Sequence, residues 1–360
     1  MNFSNFKISF SFDKESFTKV NFRPFIAGMV AVFIFKIFSI MGVSTPFFAS
    51  PIPEGMSIFD TIKPKLEQKA NNFKLSQASQ FIPVAYAGGE YDKASAYIVF
   101  DLNSGKVLAE KSSDTEFPIA SITKVMTAVV ALDLAYPDEV FAITPTAAKV
   151  IPTKIGVVPG EQMTLEELMK AMLLTSANDA AAVIREGIDK KYGHEVFIQA
   201  MNEKAKFLAM YNTSFSNPQG FDDTHNYSTP ADLAILSHYA LNNYPLIKEI
   251  VAMDYAYLPE NRQHKQFDLN NWNGLINTYP KAYGVKIGNT DDAGVTTMVA
   301  AERDGHHVGV ILLGAPGVLE RDMWGAQLLD LGFEQLAGLK PVHITEEQLR
   351  EKYATWKYYN

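Results

Sequence analysis

The chain has 360 residues, 47% of them hydrophobic, which is enough to bury the core of one sizeable domain. It carries 40 acidic and 32 basic side chains, with no cluster of Lys and Arg interleaved with aromatic residues, which argues against a nucleic-acid-binding protein. Cysteine is absent, so disulfides, thiolate catalysis and cysteine-ligated metal sites are excluded.

The N-terminal part predicts a membrane segment. Residues 24–43 are apolar apart from Lys36 and are about long enough to cross a bilayer. The basic residues in front of this segment are Lys7, Lys14, Lys19 and Arg23. The positive-inside rule therefore places residues 1–23 in the cytoplasm as a tail and the rest of the chain outside. Residues 47–49 are a poor cleavage site, which favours an anchor over a cleaved signal peptide.

Residues 44–90 are expected to be a linker, and the folded part begins with a hairpin. Residues 95–101 alternate in polarity and are rich in β-formers, and after a turn residues 106–110 return. Helical periodicity then dominates the middle of the chain, at residues 122–135, 165–174, 179–192, 195–210 and 230–242. Strand patterns return at residues 283–287, 295–303 and 306–314, and a final helix is expected at residues 320–336.

Strands at both ends with helices between them predict an α+β fold. We expect a three-layer α-β-α arrangement, in which both chain ends build one antiparallel sheet. The terminal helices would cover one face and the buried helix that starts at Ser121 the other, beside an all-helical subdomain. The domain would span residues 91–338, and residues 339–360 would form a C-terminal tail.

Three short motifs lie in order along this domain, and together they predict a serine enzyme that transfers acyl groups. They are Ser121-Ile122-Thr123-Lys124, Ser176-Ala177-Asn178 and Lys286-Ile287-Gly288. A Ser and a Lys three residues apart share one helix face, so the amine can reach the hydroxyl that it must deprotonate. The same Ser-x-x-Lys spacing occurs three times before residue 24, but those copies lie in a polar tail ahead of the membrane segment, whereas Ser121 starts an apolar run of helical length within the domain.

With these motifs the chain resembles the D-alanyl-D-alanine carboxypeptidases, the low-molecular-mass penicillin-binding proteins related to serine β-lactamases. The resemblance covers about residues 90–338 and extends beyond the three motifs. It includes the segments FPIASITKVMTA, LLTSANDAA, FSNPQGFDD and GVKIGNTDDAG in the family's order.

The resemblance implies a role for each matching residue. Ser121 would be the acylated nucleophile, Lys124 its general base, Ser176 a proton relay to the leaving D-alanine, and Asn178 a hydrogen-bonding partner of the acyl amide and of Lys124. The strand Lys286-Ile287-Gly288-Asn289 would bind substrate, with the N–H groups of Ser121 and Asn289 as the oxyanion hole, and Lys286 and Arg321 would hold the terminal carboxylate. Because Lys124 must be neutral, burial and the charge of Lys286 are expected to lower its pKa.

Two positions depart from the family's usual pattern. Ile287 stands where relatives usually have Thr, whose hydroxyl contacts the carboxylate. The loss of one hydrogen bond to a charged group costs about 1.5 to 3 kcal/mol, so we expect a weakened site. Gln219 stands where relatives often have His.

These features predict a serine-type carboxypeptidase that removes the terminal D-Ala from peptidoglycan stem peptides on the outer face of the cytoplasmic membrane. The β-lactams would be covalent inhibitors, and the N-terminal segment would hold the enzyme in the membrane. His306 and His307 are adjacent and no metal-binding His motif exists, so no metal and no cofactor is expected. Two alternatives stay open, a DD-endopeptidase of the same fold and a catalytically weakened scaffold that binds the wall.

Overall fold

The structure is a computed structural model, and it describes residues 57–76 and 89–356. The chain divides into two compact units, Met1–Ser57 and Ile58–Asn360, and the second holds the helices and strands of the fold. Its helices are α1 (Ile58–Leu66), α2 (Thr123–Leu134), α3 (Pro145–Ala148), α4 (Leu165–Leu174), α5 (Asn178–Tyr192), α6 (Val196–Phe207), α7 (Pro230–Asn243), α8 (Pro245–Ala252), α9 (Val318–Ala337) and α10 (Glu346–Ala354). Its strands are β1 (Ala96–Asp101), β2 (Val107–Lys111), β3 (Phe117–Pro118), β4 (Val140–Ala142), β5 (Gln162–Thr164), β6 (Tyr227–Ser228), β7 (Tyr255–Leu258), β8 (Phe267–Asn270), β9 (Lys286–Thr290), β10 (Gly294–Arg303) and β11 (His306–Ala315).

One antiparallel sheet joins the two ends of the domain. Its strand order is β2-β1-β11-β10-β9, so the first hairpin pairs with the last one. Ala96 lies opposite Leu313, and Asp101 lies opposite Val308. The predicted sheet from both chain ends is confirmed, with β9 at one edge.

Alternation along the strands divides the core into two parts. In β1, Tyr97 and Val99 pack with α9, whereas Ile98 and Phe100 point to the opposite face. There they join the larger core, which is built mainly by helices α2 to α8, here called the helical lobe. Helix α9 approaches the sheet closely, since a Cβ on Gly332 would lie 2.8 Å from Cγ1 of Val99. Helix α7 covers β1 and β11 on the other face. The α-β-α order of layers agrees with the prediction.

Helix α2 runs through the centre of the helical lobe. Every residue of this helix except Leu132 is buried, as the apolar run in the sequence predicts. Helices α5, α6 and α7 pack around it. The lobe also contains two small antiparallel sheets, β4 with β5 and β7 with β8, so it is not all-helical. Strands of three or four residues are too short to show a periodicity, which is why the sequence did not indicate them.

The stretch 57–76 is folded onto the helical lobe, although it lies within the predicted linker. Ile62 and Leu66 of α1 and Phe73 beyond it are buried in the main core. The C-terminal stretch is ordered as well, because α10 begins with a capping box between Thr345 and Gln348 and buries Leu349. Both stretches place few apolar residues in the core, which left only a weak pattern in the sequence.

Among residues 57–76 and 89–356, no helix combines the length and the apolar character that a bilayer crossing requires. The predicted membrane segment 24–43 and the cytoplasmic tail before it lie outside the described residues.

Candidate active site

Ser121 lies at the entrance of α2, on a short helix formed by Ala120–Ile122. Ala120 adopts a left-handed conformation with φ of 47°, which turns the chain sharply before the serine. Two glycines allow this turn to be packed from both sides. A Cβ on Gly220 would lie 1.9 Å from the carbonyl oxygen of Ala120, and one on Gly288 would lie 2.9 Å from the backbone nitrogen of Ser121. The edge strand β9 therefore passes directly beside the serine.

The amine of Lys124 is fully buried and has three hydrogen-bonding partners. Its Nζ lies 2.8 Å from Oγ of Ser121, 2.8 Å from Oδ1 of Asn178 and 2.6 Å from the carbonyl oxygen of Gln219. The amide oxygen of Asn178 and the carbonyl oxygen of Gln219 can only accept hydrogen bonds. A neutral amine can donate its two hydrogens to them and keep its lone pair for the serine hydroxyl.

Burial lowers the pKa of Lys124 to about 7, and the carboxylate of Asp179 acts in the opposite direction. The direction of the shift and the role of burial agree with the expectation from the sequence, whereas the charge of Lys286 is not among the causes of the shift. Burial also lowers the pKa of Lys286 well below its ordinary value, and the positive charges of Lys124 and Arg321 lower it further. When they are protonated, Lys124 and Arg321 are therefore close enough to act on Lys286.

The second motif lies in the turn between α4 and α5. Ser176 is buried and adopts φ of 61°, and Asn178 begins α5. In addition to the bond with Lys124, the side chain of Asn178 donates to the carbonyl oxygen of Ile151 at 3.2 Å, and its backbone N–H donates to Thr153 at 2.7 Å. Within the described ranges, no hydrogen bond joins the hydroxyl of Ser176 to Lys124 or Ser121.

Strand β9 begins three residues later than the sequence predicts. The N–H of Val285 donates to Met298, and Lys286 lies opposite the same residue, so the two residues form a bulge. Lys286 is buried, and its Nζ donates to the carbonyl oxygen of Ile287 at 2.8 Å. Ile287 lies opposite Thr297 on the α9 side of the sheet, and Asn289 is exposed.

Arg321 lies in the first turns of α9 and is 1% exposed. Its Nε and Nη2 donate to the two carboxylate oxygens of Asp322, each at 2.7 Å, and Nη2 also lies 3.4 Å from the carbonyl oxygen of Trp272. The structure thus brings Ser121, Lys124 and Asn178 together through direct hydrogen bonds, with Gly288 packed against the serine. Arg321 makes no hydrogen bond to these residues, and its link to the site is the effect of its positive charge on the pKa of Lys286.

Two residues contribute to the site in ways that the sequence analysis did not predict. The carbonyl of Gln219 is presented to Lys124 by a turn, in which Oδ1 of Asn217 accepts from the N–H groups of Gly220 and Phe221. Gly220 has φ of 85°, which glycine adopts without strain. The sequence analysis named Gln219 for its side chain, and the Asn-Pro-x-Gly pattern indicates the turn, but the contact of its carbonyl with Lys124 was not predicted.

Asp179 is the second such residue. Its carboxylate accepts from the backbone N–H groups of Ile155, Gly156 and Val157 at 2.9 to 3.2 Å. It is fully buried and so fixes the loop at residues 151–157 to the start of α5. Only its position directly after Asn178 could have drawn attention to it.

Residues 86–317 match a family profile described as D-alanyl-D-alanine carboxypeptidase, peptidase family S11. The chain is 34% identical to the D-alanyl-D-alanine carboxypeptidase DacF of Bacillus subtilis over 249 residues, which are 68% of this chain and 63% of DacF. It is also 34% identical to the D-alanyl-D-alanine endopeptidase of Pseudomonas aeruginosa, over 61% of this chain and 71% of that protein.

Solved structures of D-alanyl-D-alanine peptidases share the fold of this chain. The Streptomyces K15 DD-transpeptidase superposes with a TM-score of 0.62 at 26% identity, over 67% of this chain and 97% of that one. The carboxypeptidase DacD of Francisella tularensis superposes with a TM-score of 0.62 at 25% identity, over 66% of this chain and 70% of that one. With a serine and lysine paired at the head of a buried helix and a profile match over most of its length, the chain belongs to the D-alanyl-D-alanine carboxypeptidase family, peptidase family S11.

Proposed function

We propose that this protein is a serine-type carboxypeptidase that removes the terminal D-Ala from peptidoglycan stem peptides through an acyl-enzyme on Ser121. The observation that carries the proposal is the hydrogen-bonding geometry of Lys124. Two of its three partners can only accept, so the neutral amine is left with a lone pair for the serine hydroxyl. A buried amine with a pKa of about 7 is half neutral near neutral pH.

In the acylation step, Lys124 takes the proton of the Ser121 hydroxyl while Oγ attacks the carbonyl carbon of the penultimate D-Ala. The N–H groups of Ser121 and Asn289 would stabilise the oxyanion, a role supported by the close approach of β9 at Gly288 and by the open edge of that strand. The C–N bond then breaks, and the leaving D-alanine receives a proton through Ser176. Water, deprotonated by Lys124, hydrolyses the ester and regenerates the serine.

Binding of the terminal carboxylate is assigned to Lys286 and Arg321. Support comes from burial and charge, since burial and then neighbouring positive charge lower the pKa of Lys286, and a bound anion would favour its protonated form. Within the described residues, Lys286 has no carboxylate partner. The free C-terminus of a stem peptide supplies one.

The proposal is tested by intact mass after addition of benzylpenicillin, whose ring amide the nucleophile would open. We expect the mass to increase by one penicillin, no increase in Ser121→Ala, and an unchanged increase in the control Ser104→Ala in the β1–β2 turn. D-Ala release from a stem pentapeptide should follow the same pattern. No adduct together with unconsumed penicillin would contradict the enzyme and leave the wall-binding scaffold.

A second candidate function is DD-endopeptidase, which cuts cross-links between stem peptides. It is favoured by the 34% identity to the Pseudomonas aeruginosa protein of that name. Both activities use the same residues. Incubation with monomeric pentapeptides and with cross-linked dimers separates them, because only an endopeptidase converts the dimers to monomers.

The proposed substrate lies outside the cytoplasmic membrane, so we assign the enzyme to the extracytoplasmic side. Residues 24–43 would serve as the anchor or as a signal segment. Fractionation of cells that produce the protein, followed by protease treatment of spheroplasts, tests this location. An enzyme protected from protease would contradict it.

A further inference from the structure

A chain of hydrogen bonds links the C-terminal helix α10 to Arg321. The hydroxyl of Tyr353 donates to Oδ2 of Asp322 at 2.8 Å, and both oxygens of Asp322 accept from the guanidinium of Arg321. Arg321 and Asp322 are 1% and 0% exposed. All three residues lie beyond residue 317, where the match to the family profile ends.

The position of Tyr353 is determined by the packing of α10. Leu349 is fully buried, and Lys352 forms an ion pair with Asp254. Gly274 lies directly against the chain of hydrogen bonds, since a Cβ there would be 2.3 Å from Oδ2 of Asp322 and 2.6 Å from Cε1 of Tyr353. The tyrosine ring and the carboxylate therefore have little room to rotate.

The geometry determines which edge of the guanidinium remains available. Nε and Nη2 of Arg321 are bound to Asp322, and Nη2 also approaches the carbonyl of Trp272. Within residues 57–76 and 89–356, Nη1 makes no hydrogen bond. An anion would therefore be received by the Nη1 edge, whose direction depends on how Asp322 is held.

We propose that Tyr353 is a positioning residue for Arg321, and that through Asp322 it orients the guanidinium that receives the terminal carboxylate of the substrate. This inference rests on the proposed carboxypeptidase function. Without the tyrosine hydroxyl, Asp322 would lose its third donor and the ion pair could tilt. Binding of substrates with a carboxylate would weaken, whereas the chemistry at Ser121 would be unaffected.

The opposite possibility is that Asp322 neutralises Arg321 and that the pair only stabilises the fold, with Lys286 alone binding the carboxylate. Tyr353→Phe would then change the melting temperature without changing the preference among substrates. The two possibilities are separated by substrates that differ only in the leaving-group carboxylate.

The experiment uses two acyl-D-alanyl thioesters, one with thioglycolate as the leaving group and one with its methyl ester. For Tyr353→Phe we expect kcat/KM for the acid to fall about five- to tenfold, mainly through KM, with little change for the ester. Tyr211→Phe, at an exposed tyrosine on the helical lobe, is the control and should match the unaltered protein. In the double variant with Asp322→Asn, the effects of the two changes should not add.

Equal losses on both thioesters, or no loss on the acid, would overturn the positioning role. Additive effects in the double variant would show that Tyr353 does not act through Asp322, and would overturn it too. If the unaltered protein hydrolyses neither thioester, the proposed function itself fails, and the two failures are thereby distinguished.

Discussion

At the scale of single residues, Lys124 is the proposed general base, and its charge would then set the rate of acylation. Burial lowers its pKa to about 7 and Asp179 opposes this shift, so the amine changes its charge within the physiological range. Only the neutral amine can accept the proton of Ser121. The neutral fraction, and with it the acylation rate, increases as the pH rises through about 7.

We therefore expect the rate constant for acylation by benzylpenicillin to rise from about pH 5 to about pH 9 with an apparent pKa near 7. Stopped-flow measurement at constant ionic strength gives this profile. A rate that does not change over this range would show that another group takes the proton. Asp222→Asn, at an exposed carboxylate, is the control and should leave the apparent pKa unchanged.

Ile287 is the second residue from which a rate effect is expected. It lies on the α9 side of the edge strand, which is the side of Arg321, and its side chain offers no hydrogen bond to a carboxylate. We expect Ile287→Thr to raise D-Ala release by about ten- to a hundredfold, corresponding to one hydrogen bond to a charged group. Steady-state kinetics on a stem pentapeptide measures this gain.

Ile287→Val is the matched control, because it shortens the side chain without adding a hydroxyl. Equal rates in the valine and threonine variants would show that space, and not a hydrogen bond, limits the reaction. A lower rate in the threonine variant would indicate that this pocket binds its substrate differently from the other members of the family.

At the scale of elements, residues 57–76, which comprise α1 and the segment after it, lie across the helical lobe; we call them the strap. Lys204 is fully buried, forms an ion pair with Asp133 at 2.7 Å, and also donates to the carbonyl of Leu66. Tyr239 donates to the carbonyl of Lys69 at 3.0 Å. The strap thus supplies backbone acceptors to polar groups that have no access to water.

The strap continues to the first hairpin of the sheet. The ring of Phe73 stacks on His238 with centroids 3.8 Å apart, and the N–H of Ser76 donates to the carbonyl of Gly105 at 2.9 Å. A Cβ on Gly105 would lie 2.1 Å from the carbonyl oxygen of Lys74, so the two chains are in close contact. Residues 57–76 therefore bind both the helical lobe and the sheet.

A protein that starts at Gly89 should consequently be less stable than one that starts at Ser57. The loss of three buried apolar side chains and of the acceptors for Lys204 is partly offset by chain entropy, and we expect the melting temperature to fall by about 5 to 10 °C. Differential scanning calorimetry measures this difference. Equal melting temperatures would mean that the strap adds no net stability.

At the scale of the whole molecule, local patterns in the sequence explain most of what was predicted. The apolar run after Ser121 indicated a buried helix, and α2 is buried along nearly its whole length. The hairpins indicated a sheet from both chain ends, and β1 pairs with β11. Ser121 and Lys124 share a helix face, so their contact followed from their spacing alone.

Contacts between distant segments left no such pattern. The hydrogen bond between Lys124 and the carbonyl of Gln219 involves a backbone atom, which any residue can supply. The bulge before Lys286 depends on the pairing with β10. Tyr353 and Asp322 meet only because α10 folds back on α9. Such contacts depend on how distant segments are brought together in the tertiary structure, and they leave no local pattern in a single sequence.

The pairing of β1 with β11 also determines the order in which this chain can be completed during synthesis. The ribosome makes β1 near the start of the domain and β11 near its end, and until then one edge of β1 has no strand beside it. The helical lobe lies wholly between them in sequence and is available to form earlier. The sheet that carries Lys286 beside Ser121 therefore closes only after the helical lobe has been synthesised, so the proposed site cannot assemble until the final hairpin and the start of α9 have emerged.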